Sequence, residues 1–286
     1  MNRLREWLAG GVLITDGAWG TELQARGLDP GAAPDTWNLT YPERVEAVAR
    51  AYVEAGSEVI LTNTFRANAV AIEGDLEAIN RAGVEISKRA AAGRALVFAS
   101  IGPTGKMLMT GELTAERATA AFVAQAVALA GAGADALLVE TMSDVQEARL
   151  AVAAAKATGL AVIVSFAFDS GKNHDRTMMG ATPEAVAAAM VEAGADAVGA
   201  NCGVGIEHVA LICRRLRAAC DLPLWIKPNA GLPKIEGGTL RYSTSAEFFA
   251  SHYAALRNAG ASFVGGCCGS TPDFIRALIN ARRAAS

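Results

Sequence analysis

Three of the five cysteines are placed where a metal ion could use them. Cys202 precedes a glycine, and the adjacent Cys267 and Cys268 lie in the glycine-rich run 265–269. Neighbouring side chains of a regular strand point to opposite faces, so the pair can share one ion only if the chain turns there, which glycine permits. Thiolates select a soft or borderline metal, and we expect zinc. The alternative, a disulfide between the adjacent cysteines, is disfavoured in a reducing compartment.

A site of three thiolates leaves one coordination position for a substrate. His174, His208 and His252 show no spacing typical of a fourth ligand, and we interpret Cys213 and Cys220 as small buried hydrophobic residues. An open zinc site is usually catalytic. Because three thiolates give the centre a net negative charge, it is suited to holding a substrate thiol as thiolate rather than to activating water. The predicted chemistry is generation of a sulfur nucleophile.

Polar residues near other predicted strand ends suit the charged groups of an amino acid. Asp16 and Glu140 could hold an ammonium group, and the backbone N–H groups of the turn 17–20 could receive a carboxylate. The structural alternatives are a helix cap for Asp16 and a salt bridge for Glu140. Asn201 and Asn229 could orient a ligand or only satisfy loop backbone. We therefore expect a thiol substrate that is an amino acid.

The elements that would position these residues repeat along the chain. Four segments align on an Ala-Gly pair, at Gly56, Gly133, Gly194 and Gly260, and each pair precedes an apolar run of strand length. The glycines are spaced at about twice the length of one βαβ step, so one more strand fits into each gap. The eight predicted strands cover residues 12–15, 57–63, 95–101, 134–140, 161–166, 195–201, 222–227 and 261–267.

The segments between the strands have apolar residues at helical spacing and begin at capping residues such as Ser143, Thr182 and Thr271. Strands that are almost continuously apolar, each followed by a helix, predict a parallel sheet closed into a (β/α)8 TIM barrel of the α/β class. An open, doubly wound sheet is the alternative. We expect a single domain over residues 1–286, with its reactive groups at the carboxyl ends of the strands.

Composition excludes two classes of partner. The 286 residues include 26 Lys and Arg against 29 Asp and Glu, and no basic stripe is interleaved with aromatic residues, so we expect no nucleic-acid partner. No apolar run approaches the roughly 20 residues of a membrane span, and no secretory signal is apparent. We expect a cytoplasmic protein with no membrane partner.

Four motifs resemble those of the homocysteine S-methyltransferase family. They are DGAWGT at 16–21, TNTF at 62–65, GANC at 199–202 and GGCCG at 265–269, and the match covers about residues 12–279. Within the family, GPTG at 102–105 and PNAGLP at 228–233 resemble the homocysteine-binding module of cobalamin-dependent methionine synthase.

This resemblance implies a zinc enzyme that transfers a methyl group to the thiolate of homocysteine and forms methionine, in enzyme class EC 2.1.1. The three cysteines would bind Zn²⁺ at the catalytic centre. Glu140 and Asp16 would contact the amino group of homocysteine, and the turn at Ala18 and Trp19 would take its carboxylate. Related synthases often have Met at the position of Trp19, which suggests a pocket of different shape.

The methyl donor is left open between S-methylmethionine, a methylated corrinoid protein, methylfolate and another onium compound. The Asp-x-His-x-x-Gly cobalamin signature is absent, so we expect any corrinoid on another protein. Arg66 disfavours a quaternary ammonium donor, which normally seeks aromatic faces. Two other functions are considered: a thiol-binding module that acts only with a partner corrinoid or methyl-donor protein, and a phosphate-binding aldolase or lyase with Lys227 as its Schiff-base residue.

Overall fold

Eight parallel strands form one closed sheet in the computed structural model, which describes residues 3–236 and 239–285. The strand order is β1-β10-β7-β6-β5-β4-β3-β2, and a parallel bridge between Thr15 and Val59 joins the two end strands. The predicted (β/α)8 TIM barrel is therefore confirmed, and the sheet is not the open alternative. The barrel strands are β1 (Leu13–Ile14), β2 (Val59–Leu61), β3 (Leu96–Ile101), β4 (Ala136–Met142), β5 (Ala161–Phe166), β6 (Ala197–Cys202), β7 (Leu224–Pro228) and β10 (Ala261–Val264).

All eight predicted strands are present, but several have different ends. The strand predicted over 261–267 ends at Val264, which places the paired cysteines in the loop that follows it. β4 continues to Met142, and its register against β5 shifts between Val139 and Met142. Glu140 therefore lies inside an irregular part of a strand rather than after it. Such bulges commonly re-aim a side chain next to a functional site.

The loop after β7 contains a hairpin that the sequence pattern did not predict. It consists of β8 (Lys234–Glu236) and β9 (Thr239–Arg241), which pair antiparallel. Strands of three residues are too short to show a periodic apolar pattern, so their sequence resembles that of an ordinary polar loop.

Helices cover the outside of the barrel, as expected for parallel strands joined by crossover connections. None of the helices in the described part of the chain is long and apolar enough to span a bilayer. The helices are α1 (Arg3–Trp7), α2 (Gly20–Gln24), α3 (Trp37–Thr40), α4 (Pro42–Ala55), α5 (Leu76–Ala91), α6 (Ala115–Gly131), α7 (Val145–Lys156), α8 (Pro183–Glu192), α9 (Ile206–Ala219), α10 (Ala246–Ser251), α11 (Tyr253–Asn258) and α12 (Pro272–Ala284).

The predicted helix caps agree with the structure in part. Thr182 caps α8, since its Oγ1 accepts a hydrogen bond from the N–H of Ala185 at 3.3 Å. The predicted cap Ser143 is wrong by one residue, because the Asp144 carboxylate accepts a backbone N–H of the first turn of α7. Thr271 occupies the N-cap position of α12 without a side-chain hydrogen bond.

Aromatic side chains fill the interior of the barrel and leave the polar residues at its carboxyl end. The ring of Trp225 lies 5.2 Å from that of Phe263 and 5.9 Å from that of Phe98, measured between centroids. Leu4 and Trp7 of α1 pack against the same cluster. Because the side chains of this cluster are almost completely buried and packed against one another, they give the polar residues above them a rigid support.

Candidate active site

The three predicted cysteines converge at the carboxyl end of the barrel. The Sγ atoms of Cys202 and Cys267 are 3.1 Å apart, and all three sulfurs, including that of Cys268, lie within 4.8 Å of one another. In the described part of the chain, this is the only group of three or more potential metal ligands that meets this criterion. Two thiolates on one tetrahedral zinc are roughly 3.8 Å apart, so the cluster has the size of such a site.

The loop after β7 holds the cysteines at this separation. The backbone N–H of Asn229 donates to the carbonyl of Cys202 at 3.2 Å, and its side-chain amide donates to the carbonyl of Gly203 at 2.8 Å. On the other side, the N–H of Cys268 donates to Asn229 Oδ1 at 3.1 Å. Asn229 thus joins the end of β6 to the loop after β10, across the strand that separates them.

Cys202 and Thr141 both have left-handed backbone conformations, and the side chain of Asn201 is hydrogen-bonded to both residues. Cys202 has φ +59° and Thr141 has φ +62°, a region that is costly for residues other than glycine and common at functional sites. Asn201 Oδ1 accepts the N–H of Thr141 at 2.9 Å, and its Nδ2 donates to Thr141 Oγ1 at 2.7 Å and to Cys202 Sγ at 3.3 Å. Asn201 is 2% exposed and lies behind the sulfurs, so the structure places it in contact with a cysteine.

A cavity of about 430 Å³ opens in front of the sulfurs. All three cysteines line it, together with Ala18, Trp19 and Glu140 among the other predicted site residues. Its volume lies within the range typical of small-molecule sites. The backbone N–H of Ala18 already donates to the carbonyl of Ser270 at 3.0 Å, so this N–H is committed to the protein.

Asp16 lies behind the wall of this cavity and is completely buried. Its Oδ1 accepts a hydrogen bond from Lys227 Nζ, and its Oδ2 accepts from the N–H of Leu61 and from Trp19 Nε1, each at 2.7 Å. The helix-cap interpretation of Asp16 is wrong, because α2 begins after Trp19 without a side-chain cap. Both carboxylate oxygens are therefore bound by groups of the chain itself.

Lys227 is 2% exposed and lines the cavity with its ammonium group paired to Asp16. A Schiff-base lysine needs a neutral amine that faces its substrate. Because the amine of Lys227 is committed to a buried ion pair, the geometry argues against the aldolase or lyase interpretation.

Glu140 is 8% exposed and faces the cavity from β4. Burial raises its pKa to about 7, while the positive charge of Lys227 and a hydrogen bond from Ser100 Oγ act in the opposite direction. Ser100 is held in turn, since its N–H donates to Thr62 Oγ1 at 3.0 Å. A cation that enters the cavity would favour the charged form of Glu140. The resulting carboxylate, which is almost completely buried, would then pair with this cation.

The three thiols lie close enough to one another to shift each other's pKa. Hydrogen bonds donated to Cys267 and Cys268, together with burial, raise the pKa of Cys202. The neighbouring thiols of Cys202 and Cys267 lower the pKa of Cys268.

Tyr242 is a member of the cavity wall that the sequence analysis missed. It follows the short hairpin β8–β9, and its side chain is partly buried against the cysteine loop. In the sequence, a single aromatic residue in a polar loop looks the same whether it lines a site or only packs against the protein. No sequence pattern would therefore have identified Tyr242 as part of the cavity wall.

The sequence profile of the homocysteine S-methyltransferase family matches residues 13–282. The methionine synthases of Mycobacterium leprae (strain TN) and Mycobacterium tuberculosis (strain ATCC 25618 / H37Rv) are each 30% identical, over 96% and 93% of this chain. The alignments cover 24% of each synthase, so the chain spans about a quarter of these relatives.

Solved structures of the homocysteine methyltransferase MmuM from Escherichia coli have the same fold. The oxidized form is 26% identical with a TM-score of 0.82, and the metallated form is 25% identical with a TM-score of 0.81. Each comparison covers 100% of this chain and 100% of the MmuM chain.

Proposed function

Because the chain belongs to the homocysteine S-methyltransferase family, we propose that it transfers a methyl group to the sulfur of homocysteine and forms methionine. The observation that carries this proposal is the convergence of Cys202, Cys267 and Cys268 in a cavity with a buried carboxyl group in its wall. This arrangement offers one place for a thiol and another for an ammonium group. The functional unit is the zinc barrel domain, residues 1–286.

We assign zinc to the three sulfurs. The donor set is soft, the sulfur separations are close to those of a tetrahedral zinc site, and Asn229 fixes the two cysteine loops relative to each other. When bound, zinc would supply a Lewis acid that accepts the substrate thiol as thiolate.

The remaining residues would orient the amino-acid part of homocysteine. Glu140 would bind the ammonium group, because it is the one predicted acidic residue that lines the cavity. Asp16 would act on this site indirectly, by fixing Lys227 and the ring of Trp19. The turn at Ala18 and Trp19 would face the carboxylate, with Ala18 contributing packing rather than its committed N–H.

Methyl transfer then depends mainly on position. A thiolate attacks the methyl carbon in line, so no general base is required at that moment, and most of the remaining acceleration would come from holding the two substrates in register. The free thiols of the site fit a reducing, cytoplasmic environment.

The test is methionine formation by the purified protein with homocysteine in excess. S-methylmethionine, a methylated corrinoid protein, methylfolate and other onium compounds are supplied one at a time, and zinc content is measured on the same sample. Methionine from the single chain with any donor supports the proposal. A protein that forms no methionine with the whole panel and carries no zinc would refute it.

A further inference from the structure

Asp35 is a buried acidic residue of the cavity wall that the sequence analysis did not single out. It lies in the short 3₁₀ turn Pro34–Thr36, between β1 and α4, and is 1% exposed. Its Oδ1 accepts the backbone N–H of Arg66 at 2.9 Å. Its Oδ2 is the only carboxylate oxygen of the described residues that is buried without a hydrogen-bond partner. Because folded proteins rarely leave such an atom unpaired, Oδ2 is available to a ligand of the cavity.

Arg66 contributes a second uncommitted charge to the same wall. It follows β2, its side chain is exposed, and it lines the cavity. Within the described part of the chain, its guanidinium group is neither hydrogen-bonded nor ion-paired. The wall therefore offers a free carboxylate oxygen and a free guanidinium group on two residues that are in contact.

The turn that carries Asp35 is fixed to the end of β2. Asn63 Nδ2 donates to the carbonyl of Pro34 at 2.8 Å and to Asn38 Oδ1 at 3.0 Å, and Asn38 Nδ2 donates to the carbonyl of Asn63 at 2.7 Å. Burial raises the pKa of Asp35 to about 6, against the effect of the hydrogen bond from Arg66, so a positively charged ligand would favour the carboxylate. The acidic group thus has its position before a ligand binds.

This wall faces the sulfurs across the mouth of the barrel. β2 is four strands away from β6 in either direction around the ring of eight, and Cys202 ends β6. Glu140, the proposed partner of the homocysteine ammonium group, lies on β4, between the two sides. In-line transfer requires the methyl donor to approach the bound sulfur from the side away from the metal ligands. The wall of Asp35 and Arg66 is therefore in the place where the donor has to bind.

We propose that Asp35 and Arg66 are specificity-determining residues of the methyl-donor subsite, which bind the ammonium and the carboxylate group of a donor that is itself a sulfonium amino acid. This inference rests on the proposed function, because it requires methyl transfer to homocysteine. Charge-assisted hydrogen bonds of this kind are the strong ones in proteins. Arg66, which disfavours a donor with a positive charge alone, becomes a binding partner when the donor also carries a carboxylate.

The two residues would bind and orient the donor without changing chemically. In the transfer, a bond forms between the thiolate sulfur of homocysteine and the methyl carbon, and the bond between this carbon and the donor sulfur breaks. The electron pair of the broken bond stays on the donor sulfur, which leaves as a neutral thioether. The negative charge of the thiolate and the positive charge of the sulfonium cancel, so no further reactant is needed.

The test compares two donors that differ only in the amino group: S-methylmethionine and its deamino analogue, dimethylsulfoniobutanoate. Wild type should have the lower KM for S-methylmethionine. Asp35→Asn keeps an acceptor for the Arg66 N–H, and we expect it to raise the KM for S-methylmethionine by about 10- to 100-fold and to leave that for the analogue within twofold of wild type. Arg66→Gln should raise both values by about fivefold, since both donors carry the carboxylate.

The matched control is Asp29→Asn, which removes an exposed acidic group from the same connection, away from the cavity. It should leave both KM values unchanged, and none of the three variants should change the KM for homocysteine. Thermal unfolding followed by circular dichroism checks that each variant is folded.

Several results would overturn the inference. An unchanged KM for S-methylmethionine in Asp35→Asn, or an equal rise for both donors, would remove the role of Asp35, and unchanged values in Arg66→Gln would remove that of Arg66. A rise in the KM for homocysteine would place the wrong substrate at this wall. Wild type that forms methionine only with a corrinoid protein or methylfolate would refute the donor subsite and leave the proposed function intact, whereas no methionine with any donor would refute the proposed function.

Discussion

Replacement of Asp16 by Asn should destabilise the protein far more than loss of an ordinary ion pair. Asp16 and Lys227 are 0% and 2% exposed, so the substitution leaves a buried ammonium group without its counter-charge. Breaking such a pair from one side typically costs 3–5 kcal/mol, or about 2–4 powers of ten in the unfolding equilibrium. The single oxygen of the amide could accept from the Leu61 N–H and Trp19 Nε1, which now bond to Oδ2, or from the Lys227 ammonium, which now bonds to Oδ1, but not from both sides.

The complementary variant Lys227→Met should cost less. It leaves the Asp16 carboxylate with two hydrogen bonds of 2.7 Å, whereas Asp16→Asn leaves the ammonium of Lys227 with none from a carboxylate. The double variant should recover part of the loss seen in Asp16→Asn, because it removes the unpaired charge. In order of decreasing stability, we therefore expect wild type, Lys227→Met, the double variant and Asp16→Asn.

Urea denaturation followed by circular dichroism measures these differences. Glu77→Gln is the surface control, because its pair with Arg81 leaves the two side chains 71% and 57% exposed and should contribute less than about 1 kcal/mol. If Asp16→Asn lowered the free energy of unfolding by no more than this control does, the claim that the buried Asp16–Lys227 pair contributes strongly to stability would be refuted.

The other predictions concern the cavity. Cys202→Ala should remove zinc and methionine formation together, as measured by metal analysis and turnover, whereas Cys213→Ala, a change remote from the cluster, should leave both intact. Glu140→Gln should raise the KM for homocysteine by about 10- to 100-fold, the value of a hydrogen bond of about 1.5–3 kcal/mol to a charged group, and an unchanged KM would contradict the assignment. Because burial raises the pKa of Glu140 to about 7, the protonated acid should bind the ammonium poorly, so the affinity for homocysteine should fall as the pH drops below 7 in wild type and stay flatter in Glu140→Gln. Ser100→Ala removes a donor that favours the charged form, so it should move this decline to higher pH in the same titration of KM.

Much of the fold could be predicted because it repeats. Each Ala-Gly pair marks the end of a helix, and the apolar run after it is buried on both faces, so both signals are local in the sequence. The convergence of the cysteines follows from the same reasoning. Cys202 ends one strand and the pair follows another, and the carboxyl ends of parallel strands meet on one face of the barrel.

The contacts of the individual side chains could not be predicted in this way. Asp16 and Lys227 are separated by 211 residues, and either could have faced solvent. Contacts with remote loops decide which backbone N–H groups of a turn remain available to a ligand. The hydrogen bond from the Ala18 N–H to the carbonyl of Ser270 is an example. Tyr242 illustrates the same limit, since its place in the cavity wall depends on where the short hairpin before it directs the chain.

The separation of the sulfurs along the chain has a consequence for biosynthesis. Cys202 leaves the ribosome 65 residues before Cys267, and between them come β7, its connection and the last strand of the barrel. A nascent chain that ends before β10 has one thiol of the set and cannot chelate an ion. Metal capture is thereby reserved for polypeptides whose translation has passed the last strand of the barrel, so the loaded state reports that all eight strands have been synthesised.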